Sequence, residues 1–69
     1  MAGLPVRIHV REEPGGRWGV WVEIPERWER RGTYRSLERA LSVARFEARW
    51  WRAHGHPVRE LRGPGGLLE

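Results

Sequence analysis

The 69-residue sequence contains no cysteine, lysine, aspartate, asparagine or glutamine. Without cysteine there is no disulfide framework, no thiol nucleophile and no thiolate zinc site. Without cysteine, lysine or aspartate, catalysis has little to work with. Ser36 is better placed as a helix cap, and Ser42 falls in mid-helix with no obvious base. His9, His54 and His56 could in principle bind a metal or cut RNA by acid–base chemistry. A bare His-x-His carries no metal-ligand spacing, however. The expectation is a protein that is not an enzyme and has no cofactor and no metal. No apolar run approaches the roughly 20 residues needed to span a bilayer, and the N-terminus has no apolar signal segment. The expectation is therefore a cytoplasmic protein with no membrane role.

What is present is narrow in kind. Every basic residue is one of 13 arginines, every acidic residue one of nine glutamates, and the formal charge is +4. Missing amides and thiols fit a thermophile's avoidance of heat-labile side chains. A GC-rich genome gives the same arginine bias, and the thermophile source is the preferred reading of the two. Five tryptophans stand in this short chain. At this length one domain is expected over residues 1–69, with a core over about 5–62 and a Gly/Pro-rich tail over 63–69.

Val6, Ile8 and Val10 alternate with Arg7, His9 and Arg11, the period of a half-buried strand. Pro14-Gly15-Gly16 is a turn signal. Trp18, Val20, Val22 and Ile24 alternate again, so the two runs predict an antiparallel hairpin with one apolar face. Pro25 ends the second strand. Residues 26–31 are charged and poorly patterned, and Gly32 to Arg35 could give a short third strand. Ser36 is a good N-cap, with Glu38 suited to the positive end of the helix dipole. The helix is predicted from about Leu37 to His54, stopped by Gly55 and Pro57. Leu37, Ala40, Leu41, Ala44, Ala48 and Trp51 form its core stripe. Val58 to Arg62 is a plausible last strand. The fold class predicted is α+β: an antiparallel three- to four-stranded sheet covered on one face by a single long helix, in the order β-β-β-α-β. Trp18 and Trp51 are expected in the core.

Two features are left over. On a helical wheel, Val43, Phe46 and Trp50 fall at about 240°, 180° and 220° from Leu37, opposite the core stripe. They predict a subunit or partner interface, shared with Trp21 and Trp28, unless the tail folds over them through Leu67 and Leu68. The second feature is the uncovered sheet face. Arg7, Arg11, Trp21 and Arg31 are its candidate nucleic-acid contacts, because arginine pairs with phosphate and tryptophan stacks on bases. Glu12, Glu13, Glu23, Glu26 and Glu29 dilute that patch.

From Arg7 to Leu61 the chain resembles the HicB-like antitoxin fold. The carriers are Glu12-Glu13-Pro14-Gly15-Gly16 at the hairpin, Trp18–Ile24 followed by Pro25-Glu26, Ser36-Leu37-Glu38-Arg39-Ala40-Leu41 at the helix entry, and Gly55-His56-Pro57-Val58-Arg59-Glu60 at its exit. It departs from the family pattern at Glu29, Tyr34 and Arg59 and in its positive charge. The resemblance implies a small homodimeric, non-enzymatic module that binds and blocks a HicA-type mRNA-cleaving toxin, itself a small basic protein. The same β-β-β-α order also occurs in recombinase arm-binding domains, which lay their sheet on DNA. It occurs too in small uncharacterised bacterial domains with a Gly-containing C-terminal hairpin.

Overall fold

The computed structural model describes residues 3–68. The elements run β1 (Val6–Glu13), β2 (Arg17–Ile24), β3 (Arg27–Tyr34), α1 (Leu37–Ala53), β4 (Val58–Gly63) and β5 (Gly66–Leu67). The α+β class, with one long helix on a mostly antiparallel sheet, is as the sequence predicts. The sheet has five strands in the order β3-β2-β1-β4-β5. Three details differ from expectation. The third strand begins at Arg27 rather than Gly32. The fourth lies parallel to β1. Part of the expected tail returns as β5, paired antiparallel with β4. Glu69, the last residue of that tail, lies outside the described residues.

The β1–β2 hairpin closes at Glu13 and Arg17, with Gly15 and Gly16 between them at φ 84° and 71°. Residues other than glycine rarely adopt that conformation, and this explains the Gly-Gly pair. Ile24, Pro25, Glu26 and Arg27 then make a two-residue turn straight into β3. The Ser36 hydroxyl accepts from the Arg39 amide at 3.1 Å and caps α1. At the other end Gly55, with φ 85°, allows two closing bonds. The Gly55 amide donates to Arg52 at 3.0 Å, and the His56 amide to Trp51 at 2.9 Å. This is the 5→2 and 6→1 pair of a Schellman motif.

α1 crosses over the sheet and delivers β4 beside β1, which becomes the central strand. The core joins Val6, Ile8, Val10, Val20, Val22 and Leu61 from the sheet to Ala40, Ala44 and Ala48 from the helix. Branched aliphatics fill the sheet side and alanines the helix side, so the two layers come close. Trp18, Trp51, Leu37 and Leu41 pack half-buried at the rim of this core. The two tryptophans expected in the core thus pack against it rather than within it. Among the described residues no helix is long and apolar enough to cross a membrane.

Candidate functional site: the open sheet face

Strand alternation sends every second side chain to the face opposite α1. Register aligns Arg7 with Glu23, His9 with Trp21, and Arg11 with Gly19 across β1 and β2. It adds Trp28 beside Glu23 and Arg30 beside Trp21 from β3, and Glu60 and Arg62 from β4. The result is a face of five arginines (Arg7, Arg11, Arg17, Arg30, Arg62) interleaved with Glu13, Glu23 and Glu60 and two tryptophans.

These groups are joined to one another. Glu13 reaches over Gly19, where a Cβ would collide with its carboxylate. One oxygen accepts from Trp21 Nε1 at 2.8 Å, and the other pairs with Arg30 at 2.9 Å. The Arg30 guanidinium lies 4.9 Å from the Trp21 ring centre. Further along, His9 Nε2 sits 3.0 Å from Glu23 and its ring stacks on Trp28 at 4.3 Å. Arg7 bridges Glu23 at 4.0 Å and Glu60 at 3.6 Å, and Arg62 donates to Glu60. The Arg62 hydrogen bond, helped by the charges of Arg62 and Arg7, holds the Glu60 carboxyl below the usual glutamate range. Arg11 lies 5.8 Å from the Trp28 ring centre, and Arg17 donates to Thr33 at 3.3 Å. A shallow depression of about 430 Å³ runs between Arg7, Arg11, Glu23, Trp28 and Arg62.

The structure therefore brings together Arg7, Arg11, Trp21 and Trp28. It does not bring Arg31 to them. Arg31 follows Arg27 and Glu29 in the alternation, just before the bulge between the Trp21–Arg30 and Val20–Gly32 pairs. Arg31 points to the helix side, where it pairs with Glu47 at 3.1 Å and Glu29 at 3.8 Å. As a member of the nucleic-acid set Arg31 is thus corrected. Glu47 is itself buried and also accepts from Trp51 Nε1 at 3.2 Å. Sequence reasoning counted Glu13 only as a diluting charge and missed Glu60 and Arg62 as parts of the face, because the place of β4 beside β1 has no local signal.

The second expected surface, the outer side of α1, is only partly apolar. Phe46 is 57% exposed and Trp50 40% exposed, whereas Val43 is half-buried and touches the core. Trp50 stacks on His54 at 4.0 Å and meets Trp51 edge-on at 5.1 Å. Leu68 packs near Gly63, on the side where Leu41 lies. His54 Nδ1 donates to the Trp50 carbonyl at 2.8 Å, and His56 Nδ1 to that of Leu4 at 3.0 Å. A carbonyl only accepts, so the proton is on Nδ1 in both. Among the described residues no group of three histidine, cysteine or acidic side chains could hold a metal ion. Comparison with family models, curated proteins and solved structures returned no match.

Proposed function

We propose that this chain is a non-enzymatic protein-interaction module, HicB-like in kind, whose open sheet face receives a protein partner. The carrying observation is that each carboxylate on this face lies between arginine, histidine or tryptophan donors. Glu13, Glu23 and Glu60 thereby offset much of the positive charge a polyanion would use, although the arginines are the more exposed partners. Trp21 is covered by Arg30 and tied to Glu13, and one side of Trp28 is taken by His9. These rings are poor platforms for base stacking, which needs a free π-face. Arginine and tryptophan held in fixed positions are instead the side chains that dominate protein interfaces.

The resemblance supplies the partner: a HicA-type toxin whose RNA-cleaving surface the module would occlude. The same proposal includes a homodimer, with Phe46 and Trp50 as a subunit or partner surface and Val43 at its edge. The test is calorimetry and RNA cleavage with the HicA-type toxin of the same genome. Stoichiometric binding and inhibition are expected, weakened at least tenfold by Trp21→Ala. Absence of binding would sink the antitoxin reading. A parallel titration against duplex DNA and single-stranded RNA separates the nucleic-acid alternative. Phosphate contacts through Arg7 and Arg11 would give a steep salt slope, and silence at about 50 mM salt would remove that alternative.

A further inference from the structure

β3 is an edge strand, and its start together with the turn residue Glu26 reads Glu-Arg-Trp-Glu-Arg. Read against its own reverse about Trp28, every charge meets its opposite. Glu26 faces Arg30, Arg27 faces Glu29, and Trp28 faces itself. An antiparallel strand paired with a second copy of itself makes this comparison physically.

The backbone is disposed for it. The two-residue turn makes Ile24 and Arg27 the closing hydrogen-bonded pair of the β2–β3 hairpin. Hydrogen bonding alternates along an antiparallel pair. Arg27 and Glu29 therefore spend their amide and carbonyl groups on β2, and those of Trp28 and Arg30 point out from the sheet edge. Residues directly opposite in such a pair share a face. Arg27 and Glu29 lie on the helix side, Trp28 and Arg30 on the open side. The Arg27–Glu29 and Trp28–Trp28 matches respect that rule, and Glu26 stands in the turn just before the strand. Trp28, 44% exposed, would gain cover from its own copy.

We propose that a second copy of this chain docks antiparallel along β3, centred on Trp28, to give a two-fold dimer with a continuous sheet. The pairing joins Trp28 to Trp28 through two backbone hydrogen bonds and sets Arg27 against Glu29 twice across the strands, beside the Arg27–Glu29 bridge at 2.7 Å that each chain already makes. Register is selected by the same charges. Sliding by one two-residue step sets Glu29 against Glu29 in one direction and Arg27 against Arg27 in the other. Opposed like charges are destabilising. Exposed charge on an edge strand ordinarily discourages pairing with arbitrary partners. Here it leaves one partner and one register favoured. The inference rests on the homodimer part of the function proposed above, and it frees Phe46 and Trp50 for a different chain.

The test exploits the charge code. Arg27→Glu and Glu29→Arg chains, each folded by circular dichroism, are expected to run at the monomer mass by light scattering where wild type runs at twice that mass. Mixed in equal amounts they are expected to regain the dimer mass, because each then meets its opposite. The chain has no native cysteine, so Trp28→Cys should form a disulfide dimer on mild oxidation and Trp50→Cys should not. A monomeric wild type overturns the proposal, as do single variants that stay dimeric or a mixture that stays monomeric. Crosslinking through Trp50→Cys alone would overturn the edge pairing and keep a homodimer. Toxin inhibition lost with the β3 dimer intact would sink the functional reading alone.

Discussion

Glu47 shows how much one side chain can organise in a small core. It is the buried charged residue among those described, and one oxygen serves both Arg31 Nε and Trp51 Nε1. Glu47→Ala leaves two donors facing a gap, and stability should fall by about 1–3 kcal/mol in urea titrations. Glu47→Gln keeps an acceptor oxygen and should cost less than the alanine change. Glu60 allows a second test. Its lowered pKa comes first from the Arg62 hydrogen bond, so Arg62→Ala should move its carboxyl carbon titration by NMR upward, towards the usual glutamate range. The folded pKa lies below the unfolded one. The associated stability is therefore present above the ordinary glutamate pKa and lost as pH falls through the folded value. Neither role shows in the sequence. Glu47 falls at the border of the apolar stripe, and Arg31 reads as one more cation in a run whose strand start at Arg27 the sequence does not mark.

At the scale of elements, legibility follows periodicity. β1 and β2 alternate cleanly because one face is core and the other is not, and α1 carries its cap, stripe and stop in plain order. β3 begins with Arg27-Trp28-Glu29-Arg30-Arg31, which offers no apolar alternation. Its helix-side residues there lie beyond the edge of α1's alanine stripe, so burial never selected apolar side chains. The bulge then breaks the period that remained. β5 is two residues long and held by its pairing to β4 rather than by any pattern. Two predictions belong here. Ser36→Ala removes the cap and should cost about 1 kcal/mol, or about 4–8 °C in thermal melts of a domain this size. Gly19→Ala pushes the Glu13 carboxylate, the free end of a flexible side chain, off Trp21 and Arg30. The clash itself is cheaply relieved, so the fold should survive, with Trp21 fluorescence changed and the open-face network severed.

In the whole molecule the pairing that closes the fold is the parallel contact of β1 with β4, between strands about fifty residues apart in sequence. Nothing in either strand announces it. Val58 to Arg62 reads as a plausible strand, but its place beside β1 follows only once α1 is seen to cross the sheet. Leu61 is the side chain that makes this closure energetically real, fully buried opposite Ile8. Leu→Ala in a core costs about 2–5 kcal/mol, and domains hold only about 0.05–0.15 kcal/mol per residue in all. For a chain this short, Leu61→Ala removes a large part of the total. Phe46 is larger but exposed on the outer face of α1. Phe46→Ala should leave stability within about 0.5 kcal/mol. Urea titration of the two variants side by side is the measurement. The expected contrast is a collapsed midpoint for Leu61→Ala and an unmoved one for Phe46→Ala. If Phe46→Ala also destabilises strongly, the outer face is packed within the chain and cannot be offered to a partner. If it is silent in stability but weakens partner binding, the apolar surface of α1 belongs to association, and the fold stands on the sheet and its three alanines.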